Sequence, residues 1–455
     1  MSSRSARKGS CAFVESPVST SHDRPARVDP VAAPGAFAVS FGPVATSGAP
    51  MQKSFASCCL ALVMVAVPVC AWSQASAPAP NAVRVGFICP FTGGSQDFGN
   101  SARIGAELAV KEINEVGGYL GRPIELVERD DKADPDVGRK VSQDLVLKEK
   151  VAFTIGFCNS GVAIKALDVF QNHQHLLMIP VATGSALTAK YPPDKSYIFR
   201  LSARDSIQAA AMVDDIVKRG YTRVAVLADS TGYGEGGLKD VARFLADRKL
   251  KPVYVGRFDL GVKSLAQQVA EAKAAGAEVL VGYTVGPEFA VMAQSRVEGH
   301  FGGPLYGPWP LSFRSVAERA GSAVEGAIMV QTIIQDLSNE RRYSFIARLP
   351  HAAGGQHVSS LMAAAQSYDA MHLMLRAMFQ THGDTSGPAL KAALENLEHR
   401  YPGVVTTHDH PFSATDHDAF TRNMVWLGVW RKGEVQFLYP EDAKRASIMR
   451  HKEPQ

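Results

Sequence analysis

The chain lacks the short motifs that mark common hydrolases and nucleotide-binding enzymes. It contains no G-x-S-x-G turn and no G-x-x-x-x-G-K-[ST] phosphate loop. A G-x-G-x-x-G match occurs at 232–237, with Asp259 near the spacing of a ribose-binding acid. Three residues separate this match from the preceding strand-like run, and Tyr233 would crowd a bound pyrophosphate. We therefore expect a loop that delivers Tyr233 to a cleft, and no enzyme. An NAD-dependent enzyme is the least favoured alternative.

An excess of charge of either sign is also missing. The 48 Lys and Arg residues against 44 Asp and Glu residues give a formal net charge of +4. Residues 1–50 hold five basic and three acidic residues and Lys53 adds one more, so the rest of the chain is close to neutral. Nucleic acids and anionic membranes bind through basic patches, so we expect neither as a partner.

Patterns of metal ligands are equally sparse. The segments 408–410 (His-Asp-His) and 416–418 (Asp-His-Asp) are the densest, but no pair of histidines at helical i, i+4 spacing accompanies them. We expect a solvated loop there rather than a metal site, and we expect no cofactor.

Cysteine is scarce, with six in the chain, and four of these precede residue 75. The other two, Cys89 and Cys158, end two strand-like runs. The first and third strands of a doubly wound sheet are neighbours, which would bring the two thiols within disulfide range. An exported protein favours that bond, whereas two buried free thiols are the alternative.

One long apolar run stands out, at 58–72. Lys53 precedes it, and Ser73-Gln74-Ala75 and the overlapping small-residue triplet at 75–77 follow it as cleavage sites, so we expect a signal peptide at 51–77 and a periplasmic protein. A membrane-spanning helix is the alternative, although the run is short and contains Pro68. Residues 1–50 have no apolar period, and we expect them to be disordered or an over-extended reading frame.

From Val83 onward, short apolar runs alternate with helical patterns, which indicates parallel sheets with crossover helices. One series ends near residue 203 and a second, of the same plan, begins near 204. Longer helices follow at 359–381 and 386–397, and a hairpin is expected about Lys432-Gly433. We therefore predict an α/β protein with two Rossmann-like lobes.

Three places have the composition of a binding site. Asn159, Ser160 and Gly161 lie between a strand and a helix, where backbone N–H groups and a hydroxyl favour an anion; a simple serine cap is the alternative. The segment 180–185 repeats this pattern after the next strand. Four aromatic residues follow strand ends, where ligands bind in open α/β sheets, although packing at a core edge would also explain each one: Phe98, Tyr233, Tyr283 and Trp309.

The chain resembles the branched-chain amino-acid type of periplasmic binding protein, a type I "Venus flytrap". The resemblance covers about 83–439 and is most specific at 113–126, with further matches at 199–206 and 229–236. It implies two lobes with parallel sheets joined by three crossovers: lobe 1 at 82–203 plus 329–425, and lobe 2 at 204–328 plus 426–450. It also implies roles for individual residues: a carboxylate held by Ser160 and Thr183 with the backbone of Val181 and Ala182, and walls made by Phe98, Tyr233 and Tyr283.

One departure from that family concerns the ligand. Amino-acid binders of this kind place an acid in a Gly-Pro-Glu-Gly motif, where it pairs with the ligand ammonium, and the matching stretch here is Gly-Pro-Trp309-Pro. Because tryptophan supplies no negative charge, we hypothesise a carboxylate ligand without an α-amino group. If Glu288 supplies that negative charge from another position, an amino acid is the alternative ligand.

These observations favour a monomeric solute receptor that serves a membrane ABC permease and binds a small carboxylate. A ligand sensor of the same fold that controls a regulator is the main alternative, because the fold does not separate the two.

Overall fold

The computed structural model describes residues 81–335, 339–446 and 450–453, and every structural statement below refers to these. The predicted signal peptide and the segment 1–50 lie outside them and stay predictions. The strands are β1 (Val83–Cys89), β2 (Ile124–Asp130), β3 (Thr154–Gly156), β4 (Leu177–Ile179), β5 (Ile198–Arg200), β6 (Val224–Asp229), β7 (Tyr254–Phe258), β8 (Val279–Tyr283), β9 (Leu305–Gly307), β10 (Ile328–Gln331), β11 (Tyr401–Pro402), β12 (Thr407–His408), β13 (Trp426–Arg431) and β14 (Glu434–Phe437).

The α-helices are α1 (Gln96–Glu115), α2 (Pro135–Gln143), α3 (Ser160–Asn172), α4 (Ala186–Ala189), α5 (Asp205–Lys218), α6 (Gly232–Ala246), α7 (Ala266–Ala274), α8 (Pro287–Glu298), α9 (Arg314–Ala320), α10 (Glu340–Ala352), α11 (Leu361–Gln380), α12 (Gly387–Glu395) and α13 (Pro440–Ala446). A π-helical turn at Asp144–Glu149 continues α2, and 3-10 turns occur at Pro193–Lys195, Trp309–Ser312, Gly321–Val324 and Arg422–Met424. No helix in the described ranges is both long enough and apolar enough to cross a bilayer.

The first lobe is built on a parallel five-stranded sheet with the order β2-β1-β3-β4-β5. Six of the seven residues of β1 are buried and Arg84 is half-buried, as expected for a strand covered on both faces. Gly86 pairs with Thr154 and Ile88 with Gly156, so the first and third strands are neighbours, as predicted.

The second lobe contains a seven-stranded sheet with the order β14-β13-β10-β9-β8-β6-β7. Strands β6 to β10 are parallel where they pair with one another, and β13 and β14 run antiparallel at one edge. The predicted hairpin about Lys432-Gly433 is confirmed, since both residues have positive φ between paired strands. Strand β10 belongs to this sheet, so the predicted return to lobe 1 at residue 329 is wrong by a few residues: the chain leaves lobe 2 after Gln331.

The long helix α11 returns to the first lobe and lies along α1. A Cβ atom on Gly105 of α1 would come within 2.0 Å of the carbonyl oxygen of Ala364, so this close approach requires glycine. Gln366, also on α11, donates to the carbonyl oxygen of Pro180 at 2.7 Å. The helix therefore supports the sheet edge where the loops after β3 and β4 emerge.

Candidate functional site

The carboxyl ends of the two sheets face each other across a cleft. Nine residues line a cavity there: Phe98, Cys158, Asn159, Ser160, Val181, Thr183, Tyr233, Val285 and Trp309. The volume open to the centre of a water-sized sphere is about 10 Å³, roughly what a single water needs. The cleft is therefore closed, and a ligand must enter by separation of the lobes.

One wall of this cavity is the start of α3. Asn159 occupies the N-cap position and Ser160 begins the helix, and no side chain in the described part of the protein caps it. The Ser160 hydroxyl instead accepts a hydrogen bond from the N–H of Gly184 at 2.9 Å. The simple-cap interpretation of Ser160 is therefore wrong, because its hydroxyl joins the loop after β3 to the loop after β4. The uncapped helix start leaves N–H groups suited to an anion.

The structure joins Cys89 and Cys158 in a disulfide, with their Cα atoms 5.3 Å apart. The pair sits at the carboxyl ends of β1 and β3, which are adjacent in the sheet. Cys158 also lines the cavity, directly before Asn159. The bond therefore fixes the backbone that leads into the start of α3.

The loop after β4 provides the second wall, with Val181 and Thr183 facing the cavity. Ala182 does not line it: its N–H donates to the carbonyl of Phe157 at 2.9 Å, and its own carbonyl accepts from Ser202 at 2.7 Å. Both polar groups of the Ala182 backbone therefore hold the loop in place, and its predicted contact with a ligand stays a prediction. The hydroxyl of Thr183 lies beside the side chains of Asp205 and Tyr233, which contact it from the second lobe.

Aromatic side chains close the cavity from both lobes. Phe98 lies in the first turn of α1, and its ring centroid is 5.2 Å from that of Trp309 and 4.6 Å from that of Phe313, both on the second lobe. Tyr233 lies in the first turn of α6 rather than in the predicted loop, and its ring is 5.2 Å from that of Tyr283. These contacts across the lobes form an apolar enclosure.

Tyr283 does not line the closed cavity, and its predicted role as a wall of the ligand site stays a prediction. Its hydroxyl donates to Asp205 at 3.1 Å, while its ring supports Tyr233 from behind. A Cβ atom on Gly237 would meet the Tyr283 ring at 2.0 Å, so the second half of the G-x-G-x-x-G match serves aromatic packing. Gly232 begins α6 next to Gly161 of α3, which brings two helix N-termini together across the cleft.

Asp205 lies behind the cavity wall, next to Thr183 and Tyr283, and the sequence analysis gave it no role. It begins α5, is 1% exposed, and its second carboxylate oxygen finds no hydrogen-bond partner within the described residues. Burial raises the pKa of Asp205 from 3.8 to about 7, against the lowering effects of Thr183, Tyr283 and Arg200. The signal was present in the matched segment 199–206, where an acid begins the helix after the first change of lobe.

A buried ion pair holds the Thr183 loop. Arg200 is fully buried and donates to Asp418 at 2.6 Å and to the carbonyl oxygens of Thr183 and Gly184 at 3.0 and 2.7 Å. Asp418 therefore does not lie in the solvated loop that was predicted for 416–418, because it neutralises the arginine that positions the site.

The other residues of the two predicted His-Asp segments also divide between surface and interior. His408 and His417 are each 2% exposed, whereas His410 is exposed. His417 contacts the carbonyl of Ile198 and the carboxylate of Glu395, both at 3.0 Å. No group of three or more His, Cys, Asp or Glu side chains suited to a metal ion occurs in the ranges that the structure covers.

The two lobes, each built on a parallel sheet, enclose a small cavity whose lining residues carry no charge. Hydroxyl groups and the N–H groups at a helix start face this cavity. This arrangement is typical of ligand-binding proteins whose lobes close about a hinge. The sequence model of the periplasmic binding protein family matches residues 82–434. The chain belongs to that family.

Several known proteins are similar to this chain. The Leu/Ile/Val-binding protein homolog 3 of Brucella melitensis is 33% identical over 200 residues, which are 44% of this chain and 53% of that protein. The chain spans about half to two thirds of the length of such curated relatives. A solute-binding protein of an R. palustris ABC transporter, solved with benzoate, has a TM-score of 0.69 at 22% identity, and the match covers 78% of this chain and 95% of that one. A Streptococcus pneumoniae branched-chain amino-acid binding protein, solved with isoleucine, has a TM-score of 0.68 at 21% identity, covering 78% and 98%. The similarity to these solved structures shows the fold of this chain.

Proposed function

We propose that this protein is the periplasmic receptor of an ABC importer and binds a small carboxylate between its lobes as a monomer. The observation that carries the proposal is the convergence of Ser160, Thr183 and the uncapped start of α3 on one enclosed cavity. Hydroxyl and backbone N–H donors are the groups that stabilise a desolvated carboxylate. The start of α6, next to that of α3, adds a second positive helix end.

The ligand that we propose is an aromatic or apolar carboxylate without an α-amino group. Trp309 is 1% exposed and lines the cavity where amino-acid binders of this type carry an acid. Together with Phe98 it offers ring faces and edges to an apolar ligand body. The benzoate found in the R. palustris neighbour is a ligand of this class.

An amino acid is the second candidate, and Asp205 is the observation that favours it. Its unsatisfied oxygen lies behind Thr183 and Tyr233, and in its ionised form it would pair with an ammonium group. The isoleucine of the Streptococcus pneumoniae neighbour belongs to that class. Burial favours the neutral form of Asp205, however, so the carboxyl group fits a ligand without a positive charge at least as well.

A thermal-shift screen followed by calorimetry distinguishes the two ligands. The purified protein should be stabilised by benzoate, phenylacetate or branched aliphatic acids, and not by leucine, isoleucine or valine. Stabilisation at a ligand concentration of 100 Kd should amount to about 2.7 kcal/mol. Stabilisation by the amino acids alone would overturn the preferred ligand class and keep the carboxylate site, whereas no stabilisation by any carboxylate would overturn the site itself.

Export and the importer partnership are separate parts of the proposal. They are supported by the apolar run at 58–72 with its cleavage sites and by the membership of the periplasmic binding protein family. Fractionation with N-terminal sequencing tests the first: the recovered chain should begin near Ser76. Ligand uptake in cells with and without the gene tests the second, because a sensor would change gene expression and leave uptake intact.

A further inference from the structure

The last crossover between the two lobes consists of residues 420–425. Just before it, Asp418 forms a parallel β-bridge with Arg200, the last residue of β5, at the edge of the first sheet. Directly after it, β13 begins at Trp426 in the second sheet. Hinge motion of the lobes therefore has to bend or twist this crossover.

A second segment of chain lies along this crossover. We name it the strap, and it consists of residues 450–453. The N–H of Glu453 donates to the hydroxyl oxygen of Thr421 at 3.2 Å. The side-chain amide of Asn423 donates to the carbonyl oxygen of His451 at 3.0 Å. Because the later strap residue meets the earlier crossover residue, the two segments run in opposite directions.

The two ends of the strap contact different lobes. The Arg450 guanidinium lies over the ring of Trp426 in the second lobe, 4.0 Å from the ring centroid, which is the geometry of a cation–π interaction. Two residues later, the Lys452 ammonium donates to the carbonyl oxygen of Asp418 in the first lobe at 2.5 Å. The strap is therefore a non-covalent connection between the lobes that runs beside the covalent one.

The Lys452 ammonium has three N–H donors and three acceptors around it. They are the carbonyl oxygens of Pro411 at 2.9 Å and of Asp418, and the carboxylate of Asp416 at 2.6 Å. The Lys452 side chain is 13% exposed, so these bonds are less screened by solvent than those of a surface ion pair. Hydrogen bonds with a charged donor are stronger than neutral ones, so moving the strap away from these acceptors is costly.

The contacts of Lys452 also reach the carboxylate site, through Asp418. The backbone carbonyl of Asp418 accepts from Lys452, and its carboxylate accepts from Arg200 at 2.6 Å. Arg200 in turn donates to the carbonyl oxygens of Thr183 and Gly184 in the loop after β4. A series of hydrogen bonds with charged donors therefore leads from the strap to the cavity wall, although Lys452 is not among the residues that line the cavity.

We propose that the strap stabilises the closed arrangement of the lobes and that Lys452 is a positioning residue for ligand binding. In the structure the lobes are closed, and the contacts of Arg450 and Lys452 with the two lobes belong to that arrangement. Opening turns the crossover that lies between these contacts and weakens them. A ligand bound in the cleft selects the closed state, so the strap raises ligand affinity without touching the ligand. This inference rests on the proposed function, because it needs a ligand that closes the lobes.

Calorimetric titration of the purified protein with benzoate tests the role of Lys452. Lys452→Met keeps the length of the side chain and removes its charge and donors, so the Kd should rise about three- to thirtyfold, the range typical of substitutions that act on a ligand site from a distance. Lys452→Arg keeps a charge and several donors and should restore the affinity to within about twofold of the wild type. Deletion of residues 450–455 should weaken binding at least as much as Lys452→Met. The matched control is Lys251→Met, at an exposed lysine of the second lobe, with a Kd within about twofold of the wild type.

Small-angle X-ray scattering of the same proteins measures the separation of the lobes. Ligand-free Lys452→Met should have a larger radius of gyration than the ligand-free wild type, and saturating benzoate should bring both to the same compact value. A Kd that Lys452→Met leaves unchanged would overturn the inference, and a lowered melting temperature alone would then give Lys452 a purely structural role. Weaker binding with unchanged radii would assign Lys452 to the Thr183 loop and would overturn the strap as a closing device.

A wild-type protein that does not bind benzoate would count against the proposed ligand class and not against the strap. The ligand-free radii of the wild type, Lys452→Met and Lys251→Met would then decide the inference. A larger radius in Lys452→Met alone would support it, and equal radii in all three proteins would overturn it.

Discussion

The backbone N–H of Asp205 donates to the carbonyl oxygen of Thr183 at 2.8 Å, which ties the first helix of the second lobe to the loop after β4 in the first lobe. The Asp205 carboxyl group is buried beside Tyr283 and near Tyr233, with Arg200 and Asp240 as the charged neighbours that act on it. The Asp205 carboxyl group therefore lies where the first helix of the second lobe meets the loop that carries Thr183.

The pH dependence of binding should report the ligand class through Asp205. Burial raises the pKa of Asp205 from 3.8 to about 7. The stability that its protonation contributes is therefore fully present below about pH 4 and is lost as the pH rises through 7. A carboxylate without an ammonium group binds the protonated form, so its affinity should fall about tenfold for each pH unit above 7. An ammonium-bearing ligand binds the ionised form, and its affinity should rise up to pH 7 and then level off.

Calorimetry between pH 5.5 and 8.5, roughly spanning the pKa of Asp205, measures this dependence. The control is Asp205→Asn, which fixes the group as neutral and should flatten the profile for the first ligand class while abolishing binding of the second. A wild-type profile that is flat over this range would show that Asp205 does not titrate with binding.

The hydroxyl groups of Ser160 and Thr183 should contribute to ligand affinity rather than to the free energy of unfolding. Ser160→Ala and Thr183→Ala should each weaken binding by about 1–3 kcal/mol, because each leaves part of a buried carboxylate unpaired. Ser160→Ala also removes the acceptor of the Gly184 N–H, so its loss should be the larger of the two. The matched control is Ser264→Ala, an exposed serine on the second lobe. Unfolding of either variant at normal affinity would assign these residues to the fold alone.

The lobed architecture could be predicted from the sequence because its strands are short apolar runs separated by helices with caps and terminal glycines. The strand β10 and the helix α10 were missed, since a four-residue strand next to a proline-containing helix gives little periodic signal. Ser160, Thr183 and Phe98 could be located because they follow strand ends. Asp205 could not be assigned a role, because its burial depends on Tyr283 and Thr183, which are distant in the sequence and meet it only in the folded protein.

The disulfide should stabilise the first lobe and preserve the site. It closes a separation of 69 residues, and its removal by the double substitution Cys89→Ser and Cys158→Ser should lower the free energy of unfolding by about 2–4 kcal/mol. Because Cys158 precedes Asn159 at the cavity wall, ligand affinity should fall as well. Urea unfolding of the oxidised protein, the reduced protein and the double variant measures the effect. Equal midpoints in all three would show that the bond does not contribute.

The pair formed by Arg200 and Asp418 should support both stability and binding, since the same guanidinium holds the carbonyls of Thr183 and Gly184. Burial alone would raise the pKa of Asp418, but Arg200, with Arg204 and Thr188, lowers it below its ordinary value.

The lowered pKa of Asp418 means that its contribution to stability is complete above pH 3.8, and is lost as the pH falls below that value toward the folded-state pKa. Asp418→Ala leaves Arg200 charged and buried, so the free energy of unfolding should fall by about 3–5 kcal/mol. The residual folded protein should bind ligand more weakly, because the loop that carries Thr183 loses its anchor. Urea unfolding at pH 7 and calorimetry at a temperature where the variant stays folded measure the two effects. Asp136→Ala, at an acid of the first lobe whose side chain is 84% exposed, is the control; an Asp418→Ala variant as stable as this control would show that Arg200 finds another partner.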